Sequence, residues 1–316
     1  AEGPGAGRGG ALCWNGGRGS SEAVRVKGGP VEGKYVNRDG GDAVGEDAVQ
    51  FALLGPSRGR LKGAWATDPG LEREENEDSV VVWRNKAGLD TLLVVCDGMG
   101  GHAAGQTASS IASKTITRVL AEDGDEGPDV DRLKRACKQA NTAVFEASEE
   151  NPEWKGMGST VVVAAIRGGE LGVLNVGDSP AYLFRNGSAQ LISQDHSWPA
   201  EQVRLGVIKP EEAVDHPLKH RLTRAVGVWE SIQSCTDRIE SHEGDTVVLC
   251  SDGVETAGVS VEEMGNLLLR DGDLDTGAKR VIERCRELGA PDNVTLAVAR
   301  VEVDVTRTAT LPRLKI

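Results

Sequence analysis

Asp78-Ser-Val-Val-Val-Trp83 and Thr91-Leu-Leu-Val-Val-Cys-Asp97-Gly98 are the two segments whose reading decides the fold. Each is a short apolar run rich in β-branched side chains, the composition of a buried strand. Residues 84–90 between them are polar and turn-like, with Asn85 and Gly88. Two strands joined by so short a break pair as an antiparallel hairpin. The same arrangement recurs at Thr160–Ile166 and Leu171–Val176, around Gly168-Gly169, and two more strands are expected at Thr246–Cys250 and Val294–Val301.

Helical periodicity fills the gaps. Val130, Leu133, Cys137, Ala140, Val144 and Ala147 recur at spacings of three and four, as one buried stripe does. Ala108, Ile111, Ala112 and Val119 form a second stripe, and Ala278, Val281, Ile282, Cys285 and Leu288 a third, with Gly289 placed to end it. Ser260-Val-Glu-Glu263 reads as a capping box ahead of Met264 and Leu267–Leu269. Strands that come in pairs, with helices packed outside, give an α+β fold and not a doubly wound parallel sheet.

The aspartates fall at strand ends. Asp78 precedes the first strand and Asp97 follows its partner, so a hairpin makes them neighbours. Asp252 follows Thr246–Cys250 and Asp292 precedes Val294–Val301, so antiparallel pairing brings these two to one edge. Asp178 follows Leu171–Val176 as a fifth acid. An Asp-Gly pair alone is a turn signal; five acids at strand ends are not explained that way. Clustered carboxylates repel and rise in pKa unless a cation joins them. The neighbouring sequence offers little positive charge, and all-oxygen donors suit Mg²⁺ or Mn²⁺. Zinc is disfavoured: there is no H-E-x-x-H, and Pro217 splits His216 from His220. Paired divalent ions activate water and stabilise in-line displacement at phosphorus, which points to phosphate-ester hydrolysis.

Composition narrows the field. The 316 residues carry 36 Lys+Arg against 49 Asp+Glu, a net charge of −13, which speaks against general nucleic-acid or anionic-membrane binding. No stretch approaches the ~20 apolar residues of a membrane span, and the N-terminus lacks the basic and apolar regions of a signal peptide. The 6 cysteines form no C-x-x-C pair, and Cys96, Cys137, Cys250 and Cys285 lie among apolar residues; reduced core thiols and a cytoplasmic location are expected. Residues 1–60 hold 16 of the 41 glycines and no sustained apolar period, so a mostly disordered leader is expected there, a catalytic body over 61–303 and a short tail over 304–316.

Seven motifs, in order, resemble the metal-dependent protein Ser/Thr phosphatases (the PPM or type 2C family) in their bacterial form. They are Asp68-Pro-Gly-Leu-Glu-Arg73-Glu-Glu-Asn76-Glu77-Asp78-Ser79, Val95-Cys-Asp97-Gly98-Met-Gly-Gly101-His102, Gly156-Met-Gly158-Ser159-Thr160, Asn175-Val-Gly177-Asp178-Ser179, Asp195-His196-Ser197, Cys250-Ser251-Asp252-Gly253 and Asp292-Asn293-Val-Thr295. The resemblance covers roughly residues 61–302. It implies a four-layer α-β-β-α sandwich of two mainly antiparallel sheets, with a dinuclear metal site at one end. It also implies hydrolysis of phospho-Ser/Thr by in-line attack of a metal-bridging hydroxide.

Carried over residue by residue, the resemblance makes Asp97 the bridging ligand. The Gly98 carbonyl ligates one ion, Asp252 and Asp292 complete the other, and Glu77 and Asp78 act through water. Asp178 corresponds to the acid of a third metal site. Arg73 would hold the substrate phosphate, and His102 would protonate the leaving oxygen. Residues 198–228 resemble the bacterial flap; Lys219, His220, Arg221 and Arg224 make it basic, and Arg221 and Arg224 are candidate substrate-binding residues. The implied partners are phosphorylated proteins, such as Ser/Thr kinases or their targets, acted on by a monomer.

There are departures. Pro180 stands where Arg usually follows Gly-Asp-Ser, and Glu255-Thr256 replaces the common continuation of Ser-Asp-Gly. Neither is expected to touch a core metal position. Two competitors fit less well. Gly98-Met-Gly100-Gly101-His102-Ala103 mimics a dinucleotide fingerprint, with Glu122 as its acid, but no second strand leads to Glu122 and Asp97 would have no use. A non-catalytic binding relative normally loses metal acids, and Asp97, Asp252 and Asp292 are all present.

Overall fold

The computed structural model describes residues 61–84, 90–101, 103–122, 129–167 and 169–302, together with the two-residue strands Arg25–Val26, Gly29–Pro30 and Gln50–Phe51. The strands of its body are β1 (Leu61–Asp68), β2 (Asp78–Arg84), β3 (Asp90–Met99), β4 (Val161–Arg167), β5 (Glu170–Val176), β6 (Ala181–Arg185), β7 (Ser188–Leu191), β8 (Cys235–Glu240), β9 (Thr246–Cys250) and β10 (Val294–Val301). The helices are α1 (Ala103–Glu122), α2 (Val130–Glu150), α3 (Trp198–Arg204), α4 (Pro210–Ala213), α5 (Gly253–Thr256), α6 (Val261–Leu269) and α7 (Leu274–Glu287).

Two main sheets form, and every pairing within them is antiparallel; Arg25–Val26 also pairs with Gly29–Pro30, and Gly158–Ser159 with Gly98-Met99. One runs β7-β6-β9-β10-β1, with Gln50–Phe51 added at the β1 edge against Thr67 and Ala66. The other runs β8-β5-β4-β3-β2. The expected hairpins 79–83/91–96 and 160–166/171–176 are there, as is the pairing of 246–250 with 294–301.

Alternation along each strand divides the core into three layers. Val80, Val82, Leu93 and Val95 face Trp65, Leu183, Val247, Leu249 and Ala297 between the sheets. Val81, Leu92, Val94 and Cys96 point the other way, onto Ala108, Ala112, Ile116, Leu133, Cys137 and Val144 of α1 and α2. On the far side Ala66, Val248, Cys250, Leu296 and Val298 meet Met264, Leu268, Val281, Ile282 and Cys285 of α6 and α7. A sheet covered on both faces has no polar side, which is why its strands read as unbroken apolar runs. Each wholly buried aliphatic side chain contributes about 1.5–3 kcal/mol.

Some local readings change. Ser260 caps α6 by accepting from the Glu263 N–H, but the Glu263 carboxylate bonds the Arg284 guanidinium at 2.7 Å, a charged partner that completes only half of the capping box. Leu288 is exposed because the chain turns away at the C-cap of α7. Among the described strands longer than two residues, four lie outside the predicted set: β1, β6, β7 and β8. The expected leader and tail fall outside the described residues, apart from the three two-residue strands above.

Candidate metal centre

The acid-bearing strand ends meet at one end of the sandwich. Asp78 and Asp97 are directly paired across β2 and β3. Asp252 approaches from the other sheet, near enough for its charge to act on Asp97. Ser251 joins the sheets, donating to Asp78 Oδ2 at 2.8 Å while its Oγ accepts from the Thr295 N–H at 3.0 Å. Asp178 and Asp292 lie close enough for their charges to act on Asp97.

The close fit of backbone makes room for this. A Cβ on Gly98 would lie 2.1 Å from the Gly105 carbonyl oxygen, so only glycine lets the end of β3 pass the first turn of α1. A Cβ on Gly105 would lie 2.2 Å from Glu77 Oε2, which places the Glu77 carboxylate against that turn. The Glu77 carbonyl accepts from the Gly98 N–H at 3.2 Å and from Ser109 Oγ at 2.6 Å. Asn293 anchors the preceding loop: its Oδ1 accepts from the Glu77 N–H at 2.8 Å, and its Nδ2 donates to the Pro69 and Glu75 carbonyls at 2.9 and 2.8 Å.

Burial and mutual repulsion dominate the electrostatics of these acids. Burial is the main force pushing Asp78 up to about 7; the Thr295 and Ser251 hydroxyls oppose it, and Asp252 and Asp292 add to it. Burial raises Asp97 well above the carboxylate range, reinforced by Asp78, Asp252, Asp178 and Asp292. Asp178 rises to about 7 through burial, Asp252 and Asp195, and Asp252 rises through burial and Asp292, with His220 opposing. Asp78 Oδ1 is buried without a hydrogen-bond partner. Such an oxygen costs about 1–3 kcal/mol unless a cation or donor reaches it.

Divalent cations bound by oxygen fit these residues. Among the described residues no three His, Cys, Asp or Glu side chains already stand as a closed ligand set. A hard cation that keeps several waters needs only one or two carboxylates of its own, so the acids gathered here are enough for more than one such ion. One expectation changes. Arg73 brings positive charge to the rim, where its Nη2 donates to Asp292 Oδ2 at 2.8 Å. The loop held by Asn293 carries Arg73 back over the strand ends, a tertiary effect that local composition does not show.

The other predicted residues divide. Arg221 is exposed on the flap, as are Lys219 and His220. Arg224 turns inward, with Nη1 3.3 Å from His196 Nε2 and 3.6 Å from Cys235 Sγ. His102 lies outside the described residues. Glu255, not expected to touch a core metal position, adds negative charge at Asp178 and Asp252 from the first turn of α5. Asp195 also acts on Asp178 and had been given no role. Ser251, Asn293 and Thr295 stand inside the quoted motifs, beside the acids, and that adjacency was the available signal.

Acids from two stacked antiparallel sheets, converging on a gap suited to divalent ions, define a class of metal-binding αββα protein. Comparison with known proteins gives the family: residues 72–290 match Protein phosphatase 2C, and the chain belongs to that family. It is 36% identical over 242 residues to the serine/threonine protein phosphatase PstP of Mycobacterium tuberculosis, covering 76% of this chain and 45% of that protein. It is 34% identical over 255 residues to the serine/threonine phosphatase stp of Listeria monocytogenes, covering 78% of this chain and 98% of that protein. The chain thus spans under half the length of the mycobacterial relative. The crystal structure of the M. tuberculosis serine/threonine phosphatase PstP/Ppp superposes with a TM-score of 0.69 at 35% identity, over 77% of this chain and 99% of that one. The PstP catalytic domain in complex with 2 manganese ions superposes with a TM-score of 0.67 at 34% identity, over 77% and 99%. The four-layer fold expected from sequence is the fold observed.

Proposed function

We propose that this chain is a metal-dependent protein serine/threonine phosphatase that removes phosphate from phosphoserine and phosphothreonine in other proteins. The observation that carries the reading is the meeting of Asp78, Asp97, Asp178, Asp252 and Asp292 at one end of the sandwich, where burial first and neighbouring acids second raise Asp78, Asp97, Asp178 and Asp252. Asp97, Asp252, Asp292 and the Gly98 carbonyl would hold two Mg²⁺ or Mn²⁺ ions, with Glu77 and Asp78 reached through water and Asp178 available to a third. Bound there, divalent ions supply an activated water near neutral pH and offset charge at phosphorus.

The chain's own groups do the rest. Arg73 is half-exposed at the rim beside Asp292, where its guanidinium would form paired hydrogen bonds to the substrate phosphate. As the bond from phosphorus to the Ser/Thr oxygen breaks, a proton must reach that oxygen, and His102 is the proposed donor. Arg221 on the flap favours acidic phosphopeptides approaching the rim. Ser/Thr kinases and their targets are the proposed substrates, met in the cytoplasm by a monomer; the free thiols of Cys96, Cys137, Cys235, Cys250 and Cys285 support a reducing compartment.

The test is phosphate release from a phosphothreonine peptide by the full chain with Mn²⁺, with and without EDTA. Release that EDTA abolishes supports the reading. A metal-loaded chain that binds the peptide without releasing phosphate would be a binding protein instead.

A further inference from the structure

Three buried hydroxyls close the metal end of the layer between the sheets, on the side of β1, β9 and β10. Trp65, Leu249 and Ala297 fill that layer from those strands. Side chains return to one face at every second residue, so Thr67, Ser251 and Thr295 fall on the same face one step nearer the acids. They are 6%, 0% and 0% exposed. Asp78 stands in the same relation to Val80 on β2, in the facing sheet. Small apolar side chains would fill these positions as they fill the rest of the layer, and a buried hydroxyl is costly unless its hydrogen bonds are made. None of the three is a ligand in the proposed chemistry.

Their protons can be followed. Asn76 Oδ1 accepts from the Asp78 N–H at 3.0 Å, so Nδ2 is the end that meets Thr67 Oγ1, at 2.8 Å. Nδ2 only donates, so Thr67 accepts from it. Thr67 and Thr295 are cross-strand partners with their hydroxyl oxygens 2.6 Å apart, and one hydroxyl proton lies between them. The Thr295 hydroxyl favours the ionised form of Asp78, as a donor does, so its proton is directed to that carboxylate and Thr67 supplies the proton between the two threonines. Ser251 is held twice against Thr295: its N–H donates to the Thr295 carbonyl at 2.9 Å and its Oγ accepts from the Thr295 N–H at 3.0 Å. That leaves the Ser251 hydroxyl proton for Asp78 Oδ2, at 2.8 Å. Asp78 Oδ1 is buried and forms no hydrogen bond.

We propose that Ser251 and Thr295 are positioning residues for Asp78: their hydroxyls hold its carboxylate in one orientation and leave Oδ1 for the water of a bound divalent ion, while Thr67 and Asn76 orient Thr295. The effect on turnover rests on the phosphatase reading; the effect on metal binding does not. A carboxylate free to swing presents its oxygen to the ion's water only part of the time. Removing a partner that orients a metal-site carboxylate typically costs about 10–100-fold in metal affinity or activity.

The test is a double-mutant cycle read by calorimetric titration of the full, metal-free chain with Mn²⁺. Ser251→Ala and Thr295→Val should each raise the dissociation constant by about tenfold. In an Asp78→Asn background the same two changes should alter it by no more than about twofold, because the carboxylate they act through is gone. Thr295→Ser keeps the hydroxyl and should bind Mn²⁺ as the parent does. With a phosphothreonine peptide and saturating Mn²⁺, kcat of Thr295→Val should fall by about tenfold while KM holds, since Arg73 and not Asp78 meets the phosphate. A role in packing alone would lower the melting temperature in EDTA and leave the Mn²⁺ affinity of the folded chain unchanged, and that result overturns the proposal. Equal losses in both backgrounds, or no recovery in Thr295→Ser, overturn it as well. Ser251→Ala also strands the Thr295 N–H, so if that variant does not fold the Thr295→Val cycle decides. A parent chain that shows the coupling but releases no phosphate sinks the phosphatase reading alone, and one that binds no Mn²⁺ overturns both.

Discussion

Two kinds of buried carboxylate occur in this molecule. Asp68 and Asp245 are each 1% exposed and fully partnered. Asp68 receives Arg286 Nη1 at 3.1 and 3.0 Å and the Gly70 N–H at 2.8 Å. Asp245 receives Arg185 Nε at 2.8 Å, Arg185 Nη2 at 2.6 Å and the His242 N–H at 2.7 Å. Asp78, 6% exposed, keeps one oxygen with no partner and faces more acids. A paired acid fastens loops to the sandwich. An unpaired one is costly to the fold and is explained by a ligand that arrives later.

The largest expected effect breaks the unpaired set. Asp97→Asn should lower metal-dependent phosphate release by about a thousandfold or more, with no loss of melting temperature in EDTA. A variant that keeps near-normal turnover removes Asp97 from the centre. Next come the paired acids. Asp245→Asn should cost about 1–3 kcal/mol in urea unfolding, since it weakens the paired bonds from Arg185, while Asp78→Asn should leave the metal-free chain as stable or more so. Equal losses would erase the contrast.

The pH dependence sharpens it. In metal-free protein Asp78 and Asp178 titrate at about 7, against 3.8 in the unfolded chain, so between these values the folded state holds more protons and stability falls as pH rises. His196, at about 4 against 6.5, acts in the opposite sense. Two acids outweigh one histidine, so melting in EDTA should occur at a lower temperature at pH 7.5 than at pH 5.5 by about a few degrees. Saturating Mn²⁺ should reverse the order, and a melting temperature in EDTA that rises with pH would contradict the acid shifts. The smallest effect is local. Gly105→Ala pushes against the flexible end of Glu77, so Mn²⁺ affinity should weaken by about tenfold or less with stability nearly unchanged. Calorimetry measures both.

Much of the fold was legible because buried β-branched runs and acidic strand ends leave marks in sequence. Asp78, Asp97, Asp252 and Asp292 each adjoin such a run. The missed strands had weaker marks: β8 is Cys-Thr-Asp-Arg-Ile-Glu, an edge strand with little apolar character, and the residues of β7 are all exposed. The β6–β7 hairpin was missed despite a good signal, since Asn186 and Gly187, at φ of 52° and 79°, form the two-residue turn that an Asn-Gly pair favours. Arg73 and Arg224 could not be placed from sequence because loops decide where long side chains point. Asp195 acts on Asp178 from beyond the β6–β7 hairpin, which no local pattern encodes.

Isothermal titration of the metal-free full chain with Mn²⁺ near pH 6.5, in buffers of different ionisation enthalpy, tests the central claim most directly. The account predicts at least two ions per chain, proton release on binding because protonated carboxyls give way to metal, and loss of the tight binding in Asp97→Asn. Binding without proton release, or binding unchanged in that variant, would contradict it.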